Sequence, residues 1–317
     1  MLTLESAKLF LKHNPALTVS VLEKESGLPK GTLSQGLLGS RNLNANHLTK
    51  LEPILNKYGY MEGLYTKARV IAVINHKGGV GKTTTTSSLG AALASRGFRV
   101  LLVDLDPQGN LSQILGVEQP KYQVAQALLT DAPLPVVRIS ENLSLAPSDL
   151  ELADAEVQLI LKVGGDLRLK NKLRPLLPDF DYVLIDCPPS LGKLTTSAMN
   201  AANSCLITLL PEISAVKGVD SLLSRYMEVK ENLNSELVID GIVFTMVKKN
   251  TVHDGIKENV RQTVPCKIFN TQIKHLIDYQ KSQVMQMPIN AFAGNSEASK
   301  NYDDFCEEYI AYLQIVK

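Results

Sequence analysis

The fold of this chain is set by Val70-Ile71-Ala72-Val73-Ile74, followed by Asn75-His76-Lys77-Gly78-Gly79-Val80-Gly81-Lys82-Thr83-Thr84. The first five residues are apolar and mostly β-branched, which predicts a buried strand. Three glycines then predict a loop, and residues 87–94 predict a helix behind it. Strand, glycine-rich loop and helix in this order are typical of a phosphate-binding turn, because backbone N–H groups and the helix N-terminus together hold an anion.

The loop predicts a nucleotide site whose phosphate-binding residues are Lys77, Gly78, Gly79, Val80, Gly81, Lys82, Thr83 and Thr84. Lys82 is expected to neutralise β- and γ-phosphate oxygens, and the Thr83 hydroxyl is placed to ligate Mg²⁺. The usual P-loop pattern has glycine five residues before Gly81, where this chain has His76. A second lysine, Lys77, opens the loop instead.

Three aspartates come at the ends of two further predicted strands. Asp104 and Asp106 end the apolar run 100–105, and Asp186 ends the run 182–185. The carboxyl ends of parallel strands line the ligand crevice of an open α/β sheet. Asp106 is therefore the expected catalytic carboxylate that orients the attacking water, and Asp186 is the expected carboxylate on the Mg²⁺ side. Asp104 is expected to brace the metal or Thr84, and the alternative for it is a capping aspartate before a turn.

Short β-branched runs alternate with helical stretches from Val70 onward, whereas the first 66 residues show only helical spacing. This alternation predicts an α/β fold with a mostly parallel, doubly wound sheet flanked by helices. We expect a small all-α domain over residues 1–66 and a larger domain over 67–317, with a glycine-punctuated linker at 58–64. Residues 298–316 are expected to form a packed terminal helix.

These segments resemble the ParA/MinD family of deviant Walker ATPases over roughly residues 69–315. The resemblance rests on the loop that begins at Lys77, on Asp104-Leu-Asp-Pro-Gln-Gly-Asn and on Asp186-Cys-Pro-Pro-Ser. Residues 147–153 and 211–219 resemble partition ParA proteins in particular. The resemblance implies ATP and Mg²⁺ as cofactors, a sandwich homodimer with ATP, and a catalytic Lys77 that reaches phosphates of the nucleotide in the other subunit. Such a cation would stabilise developing charge as an arginine finger does.

The stretch 269–275 departs from the family pattern T-x-I-P-R. Lys274 stands in the proline place and His275 in the arginine place, so the role that the family's residues have there, in holding adenine or contacting DNA, is not carried over to either residue. Met246, after the strand at 241–245, is retained as the expected adenine neighbour.

A helix-turn-helix is predicted in the N-terminal part, with helices at 18–26 and 30–38 and a Gly27-Leu28-Pro29 turn. Such a motif places its second helix in the major groove, where polar side chains read base edges. The expected DNA-binding residues are Lys30, Thr32, Ser34, Gln35 and Arg41. Plasmid partition proteins often carry such an operator-binding extension, and the alternative is a small helical dimerisation cap.

A second DNA contact is expected from the ATP-bound dimer, through basic residues that ATP brings together. The candidates are Lys248, Lys249, Lys257, Arg261, Lys267, Lys274 and Lys281, of which Lys248 and Lys249 are preferred. Binding of this kind is independent of DNA sequence and weakens steeply with salt.

Composition agrees with a globular protein that remains in the cytoplasm. The 317 residues are 44% hydrophobic and 21% charged, with a net charge of +1, which by itself favours no nucleic-acid partner. No apolar run approaches membrane-spanning length, no leader pattern is present, and the four cysteines form no CxxC pair.

Together these features predict a nucleoid-associated ATPase that partitions DNA with a ParB-like activator and represses its own operon. A positioning ATPase for a protein cargo and a nucleotide-switched transcriptional repressor are the alternatives.

Overall fold

The computed structural model describes residues 2–14, 16–60, 68–213 and 215–315. The chain forms two compact units, one comprising Met1–Ala68 with Leu177–Asp181 and the other comprising Arg69–Leu176 with Tyr182–Lys317. The predicted boundary after residue 66 and the last part of the predicted linker, residues 61–64, lie outside the described residues.

Helices make up the N-terminal unit: α1 Leu4–His13, α2 Val19–Ser26, α3 Thr32–Leu37 and α4 Ala45–Lys57. Gly27 ends α2 with a φ of 66°, a left-handed conformation that glycine adopts without steric cost. The helices enclose their own core, which includes Phe10, Leu22, Leu33 and Leu51. Burial of these apolar side chains is the main stabilising term for so small a unit.

The larger unit is built on an eight-stranded sheet. Its strands are β1 Arg69–Ile74, β2 Val100–Asp104, β3 Val137–Arg138, β4 Leu143–Ala146, β5 Tyr182–Asp186, β6 Ser204–Leu209, β7 Val238–Val247 and β8 Ile268–Lys274. Their order is β3-β4-β2-β5-β1-β6-β7-β8. All neighbouring pairs are parallel except β3 with β4. The predicted mostly parallel sheet is thus confirmed, with one short antiparallel edge strand.

Helices flank this sheet. They are α5 Lys82–Ser95, α6 Asn110–Ile114, α7 Val124–Leu129, α8 Glu151–Leu161, α9 Arg168–Leu173, α10 Lys193–Ala201, α11 Ala215–Asn232, α12 Thr251–Thr263, α13 Ile277–Val284, α14 Ile289–Ala293 and α15 Glu297–Ile315. Two short 3₁₀ turns lie at Gly165–Leu167 and Leu177–Asp179.

The central strands are buried, as the continuous apolar runs of β1 and β6 predict. The terminal helix α15 packs Tyr302, Phe305 and Tyr309 into the same core as Phe269 of β8. The phosphate-type loop follows β1, and the three aspartates follow the neighbouring strands β2 and β5. The sheet therefore brings these groups to a single edge, at its carboxyl ends.

Candidate functional site

The loop between β1 and α5 lines a cleft of about 760 Å³ together with Asp106, Met246 and Gln283. Gly79 and Gly81 have φ values of 70° and 82°, and a residue with a side chain would be strained in this conformation. Asn75 holds the start of the loop, because its amide donates to the Thr208 carbonyl at 2.6 Å and its oxygen accepts from the Lys77 N–H at 2.9 Å. The open loop and the N-terminus of α5 form an anion site.

Lys82 lies at the first residue of α5 and is 6% exposed. Its Nζ donates to the Lys77 carbonyl at 2.9 Å, across the loop. Burial lowers the pKa of Lys82, while the charges of Asp186 and Asp106 oppose that effect. A buried ammonium group beside this loop is suited to bind a phosphate oxygen, because the negative charge of the phosphate would compensate the ammonium for its loss of water.

Lys77 forms an ion pair with Glu212, which follows β6. The two side chains are both 43% exposed, so the pair is accessible to solvent and its net contribution to stability is small. In this structure the loop's first lysine is thus held by an acid of its own chain.

Asp104 and Asp186 stand opposite each other at the ends of the paired strands β2 and β5, and both are 0% exposed. Burial raises the pKa of Asp104 to about 7, against hydrogen bonds from Ser112. Burial, and then the charge of Asp104, raises the pKa of Asp186 well above its ordinary value, while Thr83 partly offsets this rise. Two buried carboxylates side by side disfavour ionisation of both unless a cation compensates them.

The environment of Asp186 fits such a cation. One oxygen of Asp186 is 3.4 Å from the Thr86 hydroxyl, whereas the other is buried and has no hydrogen-bond partner among the described residues. An unpaired buried acceptor next to Thr83 is what a hydrated Mg²⁺ would satisfy. No cluster of three or more His, Cys, Asp or Glu side chains able to hold a metal occurs within the described residues. An ion here would therefore depend on phosphate oxygens and water for most of its ligands.

Asp104 is engaged elsewhere. Its two oxygens accept hydrogen bonds from the N–H and hydroxyl of Ser112 and from the N–H of Asp106. The hydroxyl of Thr84 accepts from Gln283 Nε2 at 3.1 Å. These contacts favour the capping interpretation of Asp104 over bracing of Thr84.

Asp106 is 7% exposed on the wall of the cleft. One of its oxygens accepts the N–H of Gln108 at 3.0 Å, and Gln108 lines the same cleft. The carboxylate is therefore held by the turn that follows β2 and lies beside the loop, where it can accept a hydrogen bond from a water molecule.

A side cavity of about 140 Å³ adjoins the cleft and shares Gly81, Thr84, Met246 and Gln283 with it. Met246 lies near the end of β7 with a φ of 51°, an uncommon conformation for a residue other than glycine. Lys274 pairs with Glu297, and the His275 N–H donates to the Val247 carbonyl at 3.1 Å. The cavity therefore lies directly beside the glycine-rich loop, with Met246 in its wall.

The predicted DNA-binding residues of the N-terminal unit differ in exposure. Lys30, Gln35 and Arg41 are exposed, and Ser34 is half-buried. Thr32 is 0% exposed, and its hydroxyl accepts a hydrogen bond from Arg41 at 3.2 Å. The prediction that Thr32 contacts DNA is therefore corrected, because a buried side chain cannot reach a base edge; Thr32 orients Arg41 instead.

The predicted basic cluster of the larger unit also divides. Lys248 and Lys249 are exposed beyond β7. Lys257 is 7% exposed and bonded to Gln272. Arg261, Lys274 and Lys281 each lie beside an acid, and Lys267 lies over the rings of Phe269 and Tyr312. Lys248 and Lys249 are exposed and form no ion pair among the described residues.

Sequence reasoning missed several residues that shape the site. Glu212 follows a predicted strand as the aspartates do, so its position at the sheet edge was a usable signal. Asn75 lies directly after β1 and offered the same signal. Gln283, Ser112 and Ser148 carried none, since their partners lie 199, 8 and 36 residues away along the chain.

Within the described part of the chain, no helix is both long and apolar enough to cross a membrane.

Comparisons with known proteins identify relatives of this chain. The family model described as an AAA domain (AAA_31) matches residues 68–239. The sporulation initiation inhibitor protein Soj of Bacillus subtilis is 37% identical over 250 residues, which cover 77% of this chain and 98% of Soj. The chromosome partitioning protein ParA of Myxococcus xanthus is 37% identical over 262 residues, 80% of this chain and 90% of that protein.

A solved structure is similar to this chain in fold. Cobyrinic acid a,c-diamide synthase from Mycobacterium smegmatis, with a bound ATP analogue and magnesium, has a TM-score of 0.70 and 33% identity, covering 79% of this chain and 97% of that chain. With the loop, the two strand-end carboxylate segments and the order of the sheet, these likenesses place the family. The chain belongs to the ParA/MinD family of partition ATPases.

Proposed function

We propose that this protein partitions DNA by hydrolysing ATP with Mg²⁺, and that it alternates between an ATP-bound dimer on DNA and a form released by a ParB-like activator. One observation carries the proposal: a single cleft is lined by the loop glycines, Lys82, Thr83 and Asp106. The bound ATP analogue and magnesium of the M. smegmatis structure support the same ligands here.

The phosphate end of the cleft would be held by loop N–H groups and Lys82. On binding, the Lys82 Nζ exchanges the Lys77 carbonyl for phosphate oxygens, which compensates its burial. Thr83 and Asp186 would hold Mg²⁺, directly or through water. The ion, when bound, neutralises charge that develops on the phosphate oxygens.

Asp106 would orient the attacking water. It lies on the wall of the cleft beside the loop, and its orientation is set by the Gln108 N–H. Phosphoryl transfer depends mainly on positioning and electrostatic stabilisation, so a single fixed carboxylate suffices for this role.

Lys77 would act on the nucleotide of a second subunit. For this it must leave Glu212, and because the pair is partly exposed the exchange costs little. Dimer formation and ATP binding are thereby coupled, because Lys77 of each subunit would contact the nucleotide that is bound to the other.

The N-terminal unit would bind operator DNA through α3. The Glu23 carboxylate accepts the N–H groups of Gly31, Leu33 and Ser34, which fixes α3 against α2. Lys30, just before α3, and Gln35, within it, are exposed, and Arg41 is held by Thr32. Base edges and phosphates are the groups that such side chains contact.

Nonspecific DNA would be bound by the larger unit, with Lys248 and Lys249 as the first candidates. Their charges are exposed and have no acidic partner among the described residues. A dimer doubles such a surface, so ATP would switch DNA affinity, and the protein would follow the nucleoid.

The test is to measure ATP hydrolysis and DNA retention by the purified full chain. We expect Mg²⁺-dependent hydrolysis, and retention on nonspecific duplex with ATP that disappears with ADP and weakens steeply with salt. Hydrolysis without DNA retention would favour the positioning of a protein cargo. Nucleotide-dependent operator binding without nonspecific binding would favour a transcriptional repressor.

A further inference from the structure

Three segments that are distant in sequence meet behind Asp106. They are the end of β2 at Asp104, the first turn of α6 at Ser112 and the loop after β4 at Ser148. Asp104, Ser112 and Ser148 are 0%, 1% and 2% exposed. None of the three lines the cleft, so each can influence the reaction only through a neighbour.

Hydrogen bonds join these residues into a closed ring. The Ser112 hydroxyl donates to Asp104 at 2.7 Å, and the Ser112 N–H donates to the same oxygen at 2.8 Å. The other Asp104 oxygen accepts the Asp106 N–H at 3.2 Å. The Ser148 N–H donates to the Ser112 hydroxyl at 3.0 Å, and the Ser148 hydroxyl is 3.3 Å from the Asp106 carbonyl, to which it donates. The ring thus reaches both peptide groups of Asp106.

The turn after Asp106 packs directly on this ring. The Gly109 N–H donates to the Asp106 carbonyl at 2.9 Å. A Cβ built at Gly109 would lie 2.9 Å from the Ser148 carbonyl oxygen. The backbone of the turn therefore lies close against the loop at Ser148, where a side chain larger than that of glycine would not fit.

We propose that Ser112 is a positioning residue for Asp106, acting through Asp104 on its N–H and through Ser148 on its carbonyl. Ser112 is the only member of this ring whose hydroxyl both donates to one segment and accepts from another. Fixing the Asp106 backbone on both sides fixes the carboxylate that orients water. This inference rests on the proposed ATPase function and on Asp106 as the residue that faces the substrate.

Removal of the Ser112 hydroxyl eliminates two bonds of the ring and leaves the Ser112 N–H bond to Asp104. A displacement of about 1 Å at a reacting group costs up to about 10²-fold in rate. We expect Ser112→Ala to lower kcat for ATP about 10- to 100-fold. KM for ATP and affinity for a nonhydrolysable ATP analogue should change less than about twofold, because the hydrogen bonds of the ring involve neither the loop nor Lys82.

Ser148→Ala should also lower kcat, but by less than Ser112→Ala does, because within the ring it removes only the longer bond to the Asp106 carbonyl. The double variant should lose less than the product of the two single losses, since residues of one network act as a unit. Ser197→Ala is the matched control: this serine is also 1% exposed, and its hydroxyl has no hydrogen-bond partner in the part of the chain that the structure describes. It should keep the wild-type kcat.

The experiment measures kcat, KM, analogue affinity and melting temperature for the full-length chain and these variants. A folded Ser112→Ala with wild-type kcat, or with KM rising as much as kcat falls, overturns the inference. If Ser112→Ala does not fold, an unchanged kcat in Ser148→Ala overturns it. A wild-type chain that hydrolyses no ATP refutes the proposed function instead, so the two failures are distinguishable.

Discussion

At the scale of single residues, each charged group of the site has a different environment and therefore a different role. Lys82 is buried across the loop, Lys77 is half-exposed against Glu212, and Asp186 keeps one buried oxygen unpaired. Asp106 alone of the three aspartates lines the cleft. Position relative to the cleft, more than residue type, separates the group proposed to face the attacking water from those proposed to hold a cation or the backbone.

Replacement of Asp106 by Ala should remove turnover and leave ATP binding intact. A group that orients or activates the attacking water contributes about 10²- to 10⁴-fold, so kcat should fall at least about 10²-fold. Phosphate-release kinetics and analytical ultracentrifugation with ATP measure the two effects. Asp220→Ala, an exposed aspartate of α11, is the control, and a hydrolysing Asp106→Ala chain would contradict the assigned role.

Replacement of Lys77 by Ala should prevent the ATP-dependent dimer, since the cation that reaches the second subunit is then absent. Glu212→Gln should act oppositely, because it releases Lys77 from an ion pair worth at most about 1 kcal/mol, or about fivefold in an equilibrium constant. Sedimentation with ATP in an Asp106→Ala background measures both. An intact dimer in Lys77→Ala would show that this lysine acts within its own subunit or not at all.

At the scale of elements, long-range hydrogen bonds hold the helices that carry the site. Thr85 of α5 bonds Tyr302 of α15 at 3.0 Å, both of them buried, and Arg96 at the end of α5 pairs with Asp303. The terminal helix thus braces the helix whose first residue is Lys82. In the N-terminal unit, Glu23 has the equivalent role, because it joins α2 to the start of α3.

Glu23 should make α2 and α3 sensitive to acid. Burial opposes its ionisation, but three backbone N–H donors outweigh burial, so the pKa of Glu23 lies below its ordinary value. A carboxyl group whose pKa is lowered by folding stabilises the fold at pH values above its ordinary pKa of 4.5. This stabilisation is lost as the pH falls below 4.5 and through the lowered pKa. Hydrogen exchange of peptides from 19–37 should therefore show protection at pH 7 that weakens as the pH falls below about 4.5.

Glu23→Gln should show weaker protection of the same peptides at pH 7 and little further change in acid. Glu25→Gln is the control, since Glu25 lies at the surface with Lys57 and Tyr58. Equal exchange in Glu23→Gln and wild type at pH 7 would contradict the role given to Glu23.

At the scale of the whole molecule, two compact units divide the proposed work. The family match begins at residue 68, where the helical unit gives way to β1. A near-zero net charge does not exclude DNA, because the cations proposed to contact it are local: Lys30 and Arg41 in one unit, Lys248 and Lys249 in the other.

Deletion of residues 1–66 should remove operator binding and leave ATP hydrolysis with nonspecific DNA retention. The double change Lys248→Ala with Lys249→Ala should weaken nonspecific DNA retention and leave operator binding. It should also reduce the slope of log affinity against log salt by about 0.9 for each DNA phosphate that is no longer neutralised. Fluorescence anisotropy at several salt concentrations measures both, with Lys300→Ala, an exposed lysine of α15, as control. Absence of both activities in the deletion would contradict two separate DNA sites.

Local sequence alone specifies the mostly parallel sheet, the loop after β1 and the carboxylates at the ends of β2 and β5. These depend on short-range signals: β-branched runs, glycines and the rule that parallel strands present their carboxyl ends together. Tertiary packing, by contrast, determines that Thr32 is buried, that Asp104 binds Ser112 and Asp106, and that Glu212 holds Lys77. Each of these depends on a burial or a contact between segments that no local pattern specifies, because packing chooses which polar groups lose water and which partners then compensate them.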